Sequence, residues 1–332
     1  MSSVRDSFVS PVGHVNSSYF TATRLQRNLE RDVQLWLSAP DPWTNHNAAR
    51  KTNHNGTATW FTQGTTFNEW KNKSTGSVLW IHGIRVSQNF LSLPAADRFQ
   101  YHSGLRKDCF LVCDTTAISR LDVLMFLISS TIIQDIWSMC ATESANLAFF
   151  YFDHRDAAKL DSRSFLSSLL VQLSNQSDHF FGLLSTLYMA HDRGSRQPGE
   201  HELMQCLQGM ISQGKLPVYM IIDGLDECPD SSDLASPRAE VLEIIQGLVG
   251  ISPRVYLCIA SRPEMDIRRV LEPLTSHTVS LDKQGGQHED IAEYIKFVVH
   301  SDSRMREWPE GDKNLVIDTL THDCGGMYAV IS

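Results

Sequence analysis

The stretch "VYMIIDGLDECPD", residues 218–230, carries acids at a spacing that suits work on a charged substrate. An apolar run ends in Asp223, and Asp226 and Glu227 stand just beyond it. A carboxylate at the carboxyl end of a buried strand is costly unless a cation or hydrogen bonds compensate it. P-loop NTPases place an Asp there to hold Mg²⁺ through water, with a further acid orienting the attacking water. A turn cap with two solvated acids is the other reading of these residues. In "LCIASRPE", Ser261 and Arg262 close a second apolar run, where an Arg can sense a γ-phosphate and where ligands of open α/β sheets bind. A surface Arg in a strand-to-helix turn is the alternative there.

A third apolar run, Val78 to Ile81, leads into His82 and Gly83, as a strand leads into a phosphate-binding loop. Such a loop would continue G-x-x-x-x-G-K-[ST] from Gly83. The chain continues instead with Ile84, Arg85, Val86, Ser87 and Gln88, so the second Gly, the Lys and the hydroxyl do not arrive. His154 lies beside acids in "FDHRD", but no nucleophile accompanies it, and neither it nor the "GGM" near the C-terminus earns a catalytic role.

The elements that must position these residues alternate from residue 78 onward. The pattern predicts strands at 78–83, 147–153, 217–223 and 254–261 and an edge strand at 277–281. Between and after them it predicts helices at 130–140, 161–176 with Asp161 or Ser162 as cap, 200–212, 236–250 with a Ser cap, and a short helix after Pro263. This order implies an α/β fold, a parallel sheet with helices on both faces. Gly83, Asp223 and Arg262 then share the carboxyl edge of that sheet. Residues 1–40 read as a loose segment followed by an amphipathic helix, and 41–77 as a connector whose aromatics pack on the core beyond it. Residues 78–284 read as that core, and 285–332 as the start of a helical subdomain cut short.

Composition narrows the class. A net charge of −9 does not favour non-specific nucleic-acid binding. The 7 Cys form no C-x-x-C pair, which reads as a reduced, cytoplasmic chain rather than a disulfide framework or a zinc site. The N-terminus has no signal-peptide pattern, and the longest purely apolar run, Val123 to Ile128, is too short to span a bilayer.

The segments "TGSVLWIHGI", "LAFFYFDHRDAAK", "SLLVQLSNQSD", "YMIIDGLDECPD", "ASRPEMDIRRVLEPL" and "LVIDTL" together resemble the NACHT-type NTPase domain of fungal STAND proteins, the nephrocystin-like N-terminal domains. The resemblance covers roughly residues 20–84 and 130–328. It implies a P-loop NTPase-like sheet and an ATP- or GTP-gated signalling switch working with Mg²⁺. It further implies protein partners or self-association through the core, with C-terminal repeats in full-length relatives. By that resemblance Gly83 is the first glycine of the P-loop and Asp223 the Mg²⁺-holding Walker B acid. Asp226 and Glu227 become the catalytic acids, and Arg262 the sensor.

The departure from the family lies at 85–129, a stretch without clear periodicity where the family has a short loop and a helix start. Codons for Ser103 to Phe110 can be chosen so that a one-base shift reads Pro-Gly-Ser-Gly-Lys-Thr-Val, which would complete the missing loop after Gly83. Translated introns around an out-of-frame exon are therefore one origin of this stretch, and a true insertion is the other. Either way the phosphate cradle of backbone N–H groups and Lys is missing from the sequence. Irregular structure is expected over 85–128, and hydrolysis is expected to be lost.

Overall fold

The apolar runs become one five-stranded sheet. Its strands are β1 (Ser77–His82), β2 (Asn146–Tyr151), β3 (Val218–Asp223), β4 (Val255–Ser261) and β5 (His277–Ser280). All neighbours pair in parallel, in the order β2-β3-β4-β1-β5. The protein is an α/β fold, a parallel sheet with flanking helices. The computed structural model describes residues 26–52, 58–83, 120–230, 236–281 and parts of 292–322.

Alternation along each strand sends side chains to two separate cores. On one face Val78, Trp80, Ala148, Phe150, Met220, Ile222, Leu257 and Ile259 are buried. They meet α1 (26–37), α6 (Ser162–Ser174), α7 (Asp178–Ala190), α8 (Glu200–Gln213) and α9 (Pro237–Leu248). On the other face Leu79, Ile81, Leu147, Phe149, Tyr151, Tyr219, Ile221, Cys258 and Ala260 are buried. That face is covered by α3 (Thr59–Thr62), α4 (Thr65–Lys71) and α5 (Arg120–Ala141). Further helices are α2 (Trp43–Thr52), α10 (Met265–Leu271) and α11 (Glu310–His322). Burial on both faces is why the strands are continuous apolar runs rather than alternating ones.

Local chemistry sets the helix starts. Asp161, rather than Ser162, caps α6 by accepting from Ser164 N at 2.6 Å. Ser236 caps α9, accepting from Ala239 N at 3.1 Å, with Pro237 in its first turn. The outer edge of β2 is covered by side chains. Gln172 accepts from Phe149 N at 3.0 Å and donates to Phe149 O at 2.7 Å. Gln176 does the same for Leu147, at 2.9 and 2.6 Å. Gln172 sits in the last turn of α6 and Gln176 just past its end, and together they reach two alternate residues of the strand, about 6.6 Å apart.

Three expectations are corrected. Residues 41–56 are not only a connector: α2 forms there, and its His46 and Ala49 are buried. The helix expected at 130–140 starts ten residues earlier, so the end of the 85–129 stretch is regular and packed: Leu124, Met125 and Ile128 join the core on the α5 face of the sheet, and Leu127 is buried as well. From Leu124 to Ser130 helix α5 is buried or half-buried at every position, so its start shows little helical period, and from Leu124 to Ala141 it has the length and composition of a membrane span, with half of that window buried in the protein. Helix α7 had no counterpart in the sequence reading. Residues 84–119, including Phe99, Phe110 and Leu111, lie outside the described residues, as do 1–25 and 323–332.

Candidate functional site

Parallel pairing fixes which residues meet at the carboxyl edge. His82 pairs with Ser261 and Ile222 with Ile259, so Gly83 and Arg262 leave adjacent strands, with Asp223 on the next one. The sheet therefore brings together Gly83, Asp223 and Arg262, as expected, and places them where strand connections diverge to the two sides of β1. Trp80 donates from Nε1 to Ser261 Oγ at 3.0 Å, tying the ends of β1 and β4 together beneath them.

Asp223 is 6% exposed and, by its place in β3, faces the layer that holds α5. Helix α5 runs back from this edge, since β1 leads toward it and β2 starts from its far end. Two neighbours feel the Asp223 charge. Burial, then that charge, pushes the Tyr151 phenol well above its usual range, and the Cys258 thiol likewise. Tyr151 pairs with Asp223 across β2 and β3, and its buried hydroxyl makes no hydrogen bond among the described residues.

Gly224 turns the chain out of the strand with φ 69°, and a Cβ there would stand 2.8 Å from the Phe152 carbonyl oxygen. Only glycine meets both conditions without strain. The short 3₁₀ turn Leu225–Glu227 comes next. Asp226 turns inward: its Oδ1 accepts from Arg262 N at 3.0 Å, and its Oδ2 lies 3.4 Å from Arg262 Nε. Glu227 turns toward the loop after β2, where its Oε2 accepts from His154 N at 2.9 Å and meets His154 Nδ1 at 2.8 Å. The acids expected to act together thus have different partners.

Asp153, His154 and Glu227 offer ligand atoms within 4.8 Å of one another. Asp153 is already engaged, by Arg155 Nε at 2.8 Å, Arg155 Nη2 at 3.0 Å and Asn45 Nδ2 at 3.1 Å. Burial alone would raise its carboxyl, but the hydrogen bonds from Arg155 and Asn45 bring it down to about 2. Its oxygens serve a structural hub rather than a metal.

The sequence reading missed Arg238 and Tyr151. Arg238 is 5% exposed and donates to the carbonyls of Asp226 (2.7 Å) and Cys228 (2.8 Å). Its only local signal is a cation in the first turn of a helix, a position that the helix dipole disfavours.

Residues 127–262 match the family model described as Nephrocystin 3, N-terminal. Over those residues the chain is similar to the nephrocystin 3 N-terminal family. The nephrocystin-like match starts inside α5 and ends on Arg262, so it contains Asp223, Asp226, Glu227 and Arg262 but not Gly83. No curated protein matches the sequence significantly. Two solved structures are similar along the chain. "Structure of Drosophila ORC bound to DNA" is 12% identical, covering 96% of this chain and 46% of that one, with a TM-score of 0.36. "Structure of Drosophila ORC bound to AT-rich DNA and Cdc6" is 10% identical, covering 98% and 45%, with a TM-score of 0.33. The chain spans just under half the length of these proteins, and both superpositions are too loose to inform fold or function.

Proposed function

We propose that this chain is the core of a NACHT-type STAND signalling NTPase, a cytoplasmic ATP- or GTP-gated switch, whose phosphate-binding half is replaced so that it does not hydrolyse nucleotide. The observation that carries the reading is Asp223: a buried carboxylate at the carboxyl end of β3, one strand removed from β4 and two from β1, which leads into Gly83. Its oxygen-only chemistry fits Mg²⁺ held through water. Bound Mg²⁺ would neutralise phosphate charge there, and Asp223 would orient its water shell. The nucleotide itself does not fit: the sequence after Gly83 supplies no Gly-Lys-hydroxyl cradle, on which positioning for phosphoryl transfer depends. Its partners are proteins or further copies of itself, and full-length relatives carry C-terminal repeats.

The test is isothermal titration with Mg-ATP and Mg-GTP. The chain should bind in the millimolar range or weaker, roughly −4 kcal/mol at best. Replacing 85–119 by a short loop containing Pro-Gly-Ser-Gly-Lys-Thr, with α5 kept, should restore Mg²⁺-dependent binding, and Asp223→Ala in that repaired chain should weaken it. Micromolar binding by the unrepaired chain would refute the reading. Sequencing the transcript across codons 84–130 decides between a spliced product and a true insertion.

A second reading is a non-enzymatic pseudo-NTPase whose fold serves binding alone. The contact that favours it is the engagement of Asp226 by Arg262.

A further inference from the structure

Arginines grip the acidic loop from two sides. In front, Arg262 donates its backbone N–H to Asp226 Oδ1 and brings its guanidinium to Oδ2, and the Asp226 side chain is left 4% exposed. Behind, Arg238 holds the carbonyls of Asp226 and Cys228 and pairs with Glu264 and, at 3.3 Å, with Asp266. Burial alone would lower the Arg238 pKa, but its hydrogen bonds and ion pairs with Glu264 and Asp266 raise it, so the clamp stays charged. Glu264 and Asp266 lie just beyond Arg262, so Arg238 fastens the acidic loop and the arginine turn to each other.

A buried carboxylate needs a compensating cation or donors. An acid that orients water or shares a cation also needs oxygens free to do so. We propose that Arg262 is the resident counter-ion of Asp226: it keeps the acidic loop in a fixed shape without metal or nucleotide, and a divalent cation reaches Asp226 only when Arg262 lets go. Arg262 would then be a lock on this site rather than a free sensor. The proposal rests on reading Asp226 as one of the site acids, and it deepens that reading by naming what regulates the acid.

The lock is tested in this chain without nucleotide, by thermal unfolding of Arg262→Met, Asp226→Asn and the double variant, with and without millimolar MnCl₂. Each single change should lower Tm by roughly 5 °C, and the double variant should lose little more than either single one. Mn²⁺ should raise the Tm of Arg262→Met and leave wild type and the double variant unmoved. Arg262→Lys keeps the charge and should stay Mn²⁺-indifferent and close to wild type, which serves if Arg262→Met does not fold. Additive losses, an equal Mn²⁺ effect on wild type and Arg262→Met, or a Lys variant as damaged as the Met variant would each overturn the lock. Failure here leaves the NTPase reading standing, because that reading is judged by nucleotide titration of the repaired chain.

Discussion

His154 meets a single oxygen of Glu227 twice, through its backbone N–H at 2.9 Å and its ring Nδ1 at 2.8 Å. The loops after β2 and β3 are thereby latched to each other at the rim of the acidic edge. The ring contact is 69% exposed on the histidine side, so solvent screens it. Removing the ring with His154→Ala keeps the backbone donor and should change stability by less than about 1 kcal/mol in urea denaturation. A larger loss would mean that the latch, not the sheet, holds these loops.

Gly224→Ala tests the turn after Asp223. The substitution meets a left-handed backbone and a carbonyl oxygen 2.8 Å from the new Cβ. It should cost about 1–3 kcal/mol, read as a lower urea midpoint.

Tyr151→Phe should do the opposite. The buried Tyr151 hydroxyl makes no hydrogen bond among the described residues and lies beside the Asp223 charge, so deleting it removes an unsatisfied group at little loss of packing. Stability should stay level or rise by about 1 kcal/mol. A fall of that size would show that the hydroxyl has a partner in solution.

The first half of α5 gives a test of the 85–129 stretch. Leu127 is fully buried. Leu127→Ala should cost about 2–5 kcal/mol if this turn of helix is part of the folding unit. A cost under about 0.5 kcal/mol, typical of surface sites, would mark the residues before 130 as a passive attachment.

Acid should act on His46 first. The ring is 2% exposed, packed near Trp43 and Phe149 and bonded to Ser130, and burial, then the Arg50 charge, lowers its pKa to about 4. A histidine whose folded pKa lies below the unfolded value contributes stability above the unfolded value, and that stability is lost as pH falls from about 6.5 to 4. The loss should reach up to about 3 kcal/mol, and His46→Gln should flatten the profile over that window. Asp153, held at about 2, adds a further loss only between roughly pH 4 and 2.

The sheet was legible because both of its faces are buried, which leaves β1 to β4 as unbroken apolar runs ending in chemistry-bearing residues. The meeting of Gly83, Asp223 and Arg262 came from parallel pairing alone. The partners of the acids were not legible. Nothing local says that Asp226 turns to Arg262 while Glu227 turns to a loop 73 residues away, or that Arg238 reaches back to their carbonyls. The start of helix α5 hid for a different reason: from Leu124 to Ser130 every position is buried or half-buried, so that part lacks the polar stripe that betrays helical spacing.

The amides of Gln172 and Gln176 imitate a sixth strand. They occupy the N–H and C=O groups of Leu147 and Phe149, the positions at which another chain would add to the sheet beside β2. Copies of this protein that meet, or peptides that dock as strands, therefore find that border already taken. Assembly at this edge would have to strip two glutamines from their places first, which disfavours runaway strand-to-strand stacking in a fold rich in apolar strands.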